Sequence, residues 1–142
     1  MLFDTSGKPL KLKSTGKIKH LQFPEKAYCT LNKRLEGTYF EELINQFPEY
    51  VRWRLLKLDS HTNYSIHTDS DNGKRNTRLH IPMVTNPNAY MMFFDEVTEP
   101  KMYHLEAGST YQVNTTGLHS AINFGWETRY HIVGVKYEKG NN

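Results

Sequence analysis

The chain has 142 residues, 37% of them apolar, with a formal charge of +3 and a sequence pI near 8.9. That length and composition suit one core and leave little room for a second, so a single domain is expected over 1–142, with an N-terminal hairpin and helix in 1–50 and the main core in 51–137. Outside residues 1–26 the lysines and arginines are dispersed, which argues against a nucleic-acid partner. A lone Cys29 cannot form an intramolecular disulfide, and the sequence shows neither a signal-like start nor a long apolar span. A cytoplasmic setting without membrane attachment is expected. The oligomeric state has no signature in the sequence.

Residues 8–23 alternate apolar and basic side chains around Ser14-Thr15-Gly16, a hairpin pattern. Lysines along one face suit an exposed edge strand protected from aggregation, a simpler reading than an anion site. One helix follows over 39–47, opened by Thr38 with Glu41 three residues on and closed by Pro48. Tyr39, Phe40, Leu43, Ile44 and Phe47 form an apolar stripe fit to cover a sheet. From 51 onward short runs with strand character fall at 51–58, 63–66, 77–84, 90–94, 101–104, 110–114, 118–124 and 129–137. Asn86-Pro87-Asn88, Glu99-Pro100, Ala107-Gly108 and Gly125 separate several of them, as a sandwich or jelly roll requires.

Chemistry concentrates in Tyr64-Ser65-Ile66-His67-Thr68-Asp69. In an extended chain residues two apart share a face, so His67 and Asp69 can reach one ion while Thr68 points away. His119, in the later apolar run Gly117-Leu118-His119-Ser120-Ala121, is the candidate third ligand. Two imidazoles and a carboxylate on one face of an octahedral ion suit non-haem Fe(II) and leave positions for cosubstrate and dioxygen. A short H-x-D tripeptide is by itself more often a solvated turn. Calcium fits poorly, because the glycine of Asp69-Ser70-Asp71-Asn72-Gly73 comes one place early and His80 stands where the loop needs its final acid. A zinc hydrolase would suit the three ligands but would leave Arg129 unexplained. His61 and His104 read as surface or core histidines.

On the 77–84 strand, Leu79, Ile81 and Met83 make one apolar face, while Arg78 and His80 share the other with Pro82. A buried charge there would need an anion or a metal-bound ligand, whereas an exposed one would only need water. Arg129 and His131 likewise share a face opposite Tyr130 and Ile132; for His131 a core role with a backbone hydrogen bond is expected. Trp53, Tyr64, Phe124 and Trp126 are candidates either for pocket walls or for core.

His67, Asp69 and His119, with Arg129 ten positions beyond, resemble the iron and 2-oxoglutarate-dependent oxygenases. The run Arg78-Leu79-His80-Ile81-Pro82-Met83-Val84 is similar to that of the aspartyl/asparaginyl β-hydroxylase branch, and the likeness spans 51–137. The longer, more polar segment 70–77 departs from the branch and bears on the substrate. The resemblance implies an all-β-dominated double-stranded β-helix, a cupin-like jelly roll with one covering helix near 38–47. It implies that His67, Asp69 and His119 bind Fe(II), that Arg129 holds the distal carboxylate of 2-oxoglutarate, and that Arg78 and His80 lie by its iron-proximal end. Dioxygen is then the second cosubstrate, with succinate and CO2 as coproducts. The implied substrate is an amino-acid side chain, a peptidyl Asp or Asn ahead of Pro, a free amino acid or another small molecule. The competing class is a non-catalytic jelly-roll module for metal binding or assembly. The polar segment 70–75, beside Asp69, is expected to act as a lid.

Overall fold

A computed structural model of the protein describes residues 30–69, 76–94 and 99–137; the expected hairpin at 8–23 and lid at 70–75 lie outside the described residues. A boundary between Trp53 and Arg54 divides the chain into two compact units.

In the first unit a short 3-10 turn, Lys33–Leu35, leads to helix α1, Tyr39–Asn45. The expected capping box forms only in part. Thr38 Oγ1 donates backward to the Leu35 carbonyl at 2.6 Å, which withdraws it from the helix N-terminus. Glu41 Oε2 still accepts a backbone N–H, that of Gly37 at 2.6 Å, one residue earlier than the motif predicts. The helix also ends before Phe47, because Gln46 N–H and Phe47 N–H reach the carbonyls of Leu43 and Ile44 in a tightened last turn ahead of Pro48. Phe47, Tyr50 and Trp53 then pack ring to ring at 6.2–6.4 Å, and Trp53 Nε1 donates to the Tyr50 carbonyl. Trp53 is therefore part of a local aromatic cluster.

The second unit carries the sheets. The strands are β1 (Val51–Leu58, which starts before the boundary), β2 (Thr62–Asn63), β3 (Asn76–Val84), β4 (Ala89–Phe93), β5 (Lys101–Tyr103), β6 (Tyr111–Asn114), β7 (His119–Asn123) and β8 (Arg129–Tyr137). They form two four-stranded sheets ordered β1-β8-β3-β6 and β2-β7-β4-β5. In that order β4 neighbours β5, β3 neighbours β6, β2 neighbours β7 and β1 neighbours β8, as when one long hairpin is rolled across two layers. This is the jelly roll, or double-stranded β-helix. The strand expected at 63–66 shrinks to Thr62–Asn63, and beyond it His67 keeps a single bridge to His119.

Register decides which side chains enter the space between the sheets. On β3, Arg78 lies opposite Val135 of β8 and Val113 of β6, His80 opposite Val133 and Tyr111, and Pro82 opposite His131. Val113 belongs to an apolar cluster with Leu58, Met91, Leu105 and Ala121, against which Tyr64, Phe93 and Tyr111 pack. The face bearing Arg78 and His80 is thus interior, and strand alternation puts His131 and Arg129 on it as well. Leu79 and Ile81 on the other face of β3 are also buried, whereas Met83 is exposed beside the register shift between Pro82 and Val84. Pro82, with no N–H to give, is tolerated where that ladder is already interrupted. No helix among the described residues is long and apolar enough to cross a membrane.

Candidate functional site

The bridge between His67 and His119 is a reciprocal backbone pair, His67 N–H to His119 O at 3.0 Å and His119 N–H to His67 O at 2.9 Å. It sets the two imidazoles side by side, with ring centroids 4.4 Å apart. Each ring is tethered the same way. His67 Nδ1 lies 2.7 Å from the Ser65 carbonyl and His119 Nδ1 lies 2.9 Å from the Gly117 carbonyl. A carbonyl can only accept, so both Nδ1 atoms carry a proton and the Nε2 atoms are the ones left to serve as metal ligands. This is the tether by which metal-binding histidines are usually oriented.

Both Nε2 atoms meet Asp69. Its backbone N–H is fixed on the Thr115 carbonyl at 2.9 Å, and its carboxylate lies 3.3 Å from His119 Nε2 and 3.7 Å from His67 Nε2. The three donor atoms all lie within 4.8 Å of one another. The two Nε2 atoms and the carboxylate are thus turned toward one point, as shared ligation of a cation requires. Facial ligands on one ion, with bonds of roughly 2 Å, lie about 3 Å apart, close to the two carboxylate distances here. The donor set is therefore suited to a divalent first-row metal. His119 is buried, Asp69 is half-buried, and the His67 side chain is 42% exposed, which opens the site on that flank. Phe93 backs His119 in a near-parallel stack, with centroids 6.3 Å apart.

Arg78 joins this group through Nε, 2.7 Å from Asp69 Oδ2. Burial alone would raise the Asp69 carboxyl, but the His119 contact and the Arg78 charge outweigh it and hold the group at about 2. Asp69 is thus an anion at neutral pH. Farther along the same interior face, the buried His80 and His131 meet Nδ1 to Nδ1 at 3.3 Å with their rings nearly perpendicular. Desolvation, followed by the nearby Arg129 charge, lowers His80 to about 3 and His131 to about 2. Both are neutral imidazoles. The expected backbone hydrogen bond of His131 gives way to this side-chain pair, because β3 and β8 place the two rings as diagonal neighbours on one face.

Arg129, the first residue of β8, is 3% exposed, and no carboxylate pairs with it among the described residues. Desolvation draws its guanidinium down to about 10, so it remains charged at neutral pH. Its Nε–H and the Nε2 atoms of His80 and His131 are buried without hydrogen-bond partners. Buried cations and imidazoles left this way are costly unless an anionic, hydrogen-bonding group fills the space they face.

The structure thus gathers His67, Asp69, His119 and Arg78 at one point and sets His80, His131 and Arg129 on the same interior face. Phe124 and Trp126 are not pocket walls. They are 55% and 86% exposed, and Trp126 packs edgewise on His61. Tyr64 is part-buried and donates through its hydroxyl to the Lys57 carbonyl at 2.7 Å, while His104 Nδ1 is held by the Ala89 carbonyl. Sequence reasoning missed the stacking role of Phe93 and the partner of His131. Their signals were present only as face alternation, since each contact depends on register across strands.

Comparison with known protein families and with curated proteins returns no match. Among solved structures the chain resembles the cupin domain of an XRE family transcriptional regulator from Enterobacter cloacae, at 11% identity and a TM-score of 0.48 over 64% of this chain and 84% of that one. It also resembles a cupin domain from Bordetella pertussis Tohama I, at 13% identity and a TM-score of 0.46 over 63% and 83% of the two chains. A nickel complex of a non-heme monooxygenase matches at 15% identity and a TM-score of 0.45 over 58% of this chain and 41% of that one. The fold assignment stands on the strand order, and no function passes from these proteins to this chain. Fold and site together define a jelly-roll protein with a two-histidine, one-carboxylate donor set beside a cationic interior.

Proposed function

We propose that the protein is an Fe(II)- and 2-oxoglutarate-dependent dioxygenase that hydroxylates an amino-acid side chain, with a peptidyl Asp or Asn favoured over Pro or a free amino acid. The observation that carries this reading is Arg129, a buried guanidinium without a carboxylate partner among the described residues, on the interior face that Arg78 shares and from which it reaches Asp69. A zinc hydrolase would use the three ligands and leave that charge without purpose.

His67 Nε2, His119 Nε2 and a carboxylate oxygen of Asp69 would hold the metal, their tautomers set by Ser65 and Gly117. When bound, Fe(II) with 2-oxoglutarate and dioxygen supplies hydroxylation of an unactivated C–H bond, with succinate and CO2 as coproducts. Arg129 offers a planar, permanently charged fork to the distal carboxylate. His80, on that face and with its Nε2 unpartnered, offers a ring nitrogen to the same ligand. Arg78 keeps Asp69 ionised and oriented. The neighbouring apolar cluster and the Phe93 ring exclude water from the buried side of the site.

The test is a turnover assay under isotopically heavy dioxygen with Fe(II), 2-oxoglutarate and peptides containing Asp, Asn or Pro. One heavy atom in succinate and one in the peptide is the expected result. Absence of succinate formation with every peptide and free amino acid, together with failure of 2-oxoglutarate to bind, would reject the reading.

A further inference from the structure

The buried pair His80 and His131 has no assigned purpose beyond the ligand contact suggested for His80. Their Nδ1 atoms lie 3.3 Å apart inside the protein. Two lone pairs at that distance would repel, and so would two N–H groups. With both rings neutral, one proton must lie between them, so one imidazole is protonated on Nδ1 and the other on Nε2. The pair therefore presents two unlike ends, one Nε2–H donor and one bare Nε2 acceptor, both buried and unpartnered.

Which end belongs to which ring follows from the surroundings. His80 shares its strand face with Arg78, two residues away, and Arg78 touches Asp69. His131 shares its own strand face with Arg129, so each ring sits near an arginine, and it is Arg78 that ties His80 to the candidate metal site. His80 is thus the ring on the side of the candidate metal site, beside the arginine that touches Asp69. An anion drawn there requires a donor from His80, and a lone pair at its Nε2 would repel it.

We propose that His131 is a positioning residue: its Nδ1–H donates to His80 Nδ1 and thereby holds His80 in the Nε2–H tautomer, ready to donate to an anionic ligand. The ligand class is a carboxylate or 2-oxo acid, and this identification rests on the function proposed above. The tautomer assignment rests only on an anion being bound there, since the arginines alone would favour a bare His80 Nε2. His131 Nε2 is then the acceptor end of the pair, satisfied by a ligand hydroxyl or N–H, or by water.

Two-bond nitrogen–proton correlation spectra of Zn(II)-loaded protein labelled with nitrogen-15 histidine and saturated with 2-oxoglutarate or, where that fails to bind, with acetate distinguish the two tautomers directly. The expected pattern is Nε2–H for His80 and Nδ1–H for His131; the reverse pattern, or fast exchange between the two, overturns the proposal. Calorimetric titration of 2-oxoglutarate into Mn(II)-loaded protein supplies the second arm. His131→Phe removes the donor and is expected to weaken binding on the order of ten- to a hundred-fold, as for loss of one hydrogen bond to a charged group. His131→Asn can return an amide N–H to the Nδ1 position and should restore most of it. A His131→Phe variant that binds like the parent with the His80 tautomer unchanged also overturns the proposal. If 2-oxoglutarate fails to bind the parent, the functional reading fails, and the tautomer pattern with acetate bound still decides the role of His131.

Discussion

Arg78 Nε stands 2.7 Å from Asp69 Oδ2, so this interior guanidinium has a carboxylate, whereas Arg129 on the same face pairs with none among the described residues. The two arginines should respond differently to truncation. Arg129→Ala is expected to retain the metal and lose about 2–5 kcal/mol of 2-oxoglutarate affinity, the range for removing one member of a buried charge pair. That is roughly thirty-fold to several-thousand-fold. Arg129→Lys should recover only part, since an ammonium lacks the bidentate fork. Arg78→Ala should weaken 2-oxoglutarate less and let the Asp69 carboxyl rise. Calorimetry on the Mn(II)-loaded variants measures the ranking, and equal losses for the two alanine variants would contradict it.

Acid should destabilise the metal-free protein earlier than its carboxylates alone require. His80 and His131 are lowered from the ordinary 6.5 to about 3 and about 2, first by burial and then by Arg129. The unfolded chain therefore takes up protons first as pH falls. Stability is whole above about 6.5 and is lost progressively toward 3, at up to about 1.4 kcal/mol per pH unit for each imidazole. Urea unfolding at a series of pH values between 7.5 and 4.5 reads that slope. A double His80→Leu, His131→Leu variant should flatten it, and an unchanged slope would mean that the two rings ionise normally.

Loss of a metal ligand should be separable from loss of fold. The backbone bridge between His67 and His119 does not depend on either ring. His119→Ala should therefore keep a cooperative melt and lower Mn(II) affinity by more than the roughly 10–100-fold that removal of an orienting partner alone costs. Parent-like metal affinity in this variant would show that the three donors are not a metal site.

A structural clamp holds the connection leading into Arg129. Asn123 Oδ1 accepts from Asn86 Nδ2 and from Gly125 N–H, each at 3.0 Å, while Asn123 Nδ2 donates to the Glu127 carbonyl at 2.8 Å. A Cβ at Gly125 would collide with the Asn86 amide. Gly125→Ala is expected to cost about 1–3 kcal/mol, through strain or the loss of a buried polar partner. A melting temperature equal to the parent's would mean that the clamp yields without cost.

The sequence carried the fold through local signals. Alternation and turn residues placed 51–58 and 129–137 at their observed ends, and the β3, β4 and β7 runs to within a residue or so. It failed where a side chain chose a distant or unexpected partner. Thr38 has the type and spacing of a cap, but the preceding 3-10 turn offered it the Leu35 carbonyl. His67 lies outside any strand and is fixed by one bridge, which the alternation around 63–66 does not encode. At the site, residue types and the i, i+2 rule were enough to single out His67, Asp69, His119 and Arg129. The pairings Arg78–Asp69 and His80–His131 depend on the course of β3 beside its neighbours, and His80 and His131 are 51 positions apart. Alternation assigned each residue to a face and could not assign the register.

The central claim, that this jelly roll binds iron and a 2-oxo acid together, is tested most directly by anaerobic titration of Fe(II) and then 2-oxoglutarate. The account predicts a weak visible charge-transfer band that appears only when both are present, is lost in His119→Ala, and in Arg129→Ala needs far higher 2-oxoglutarate. Fe(II) binding without any such band at saturating 2-oxoglutarate would contradict it.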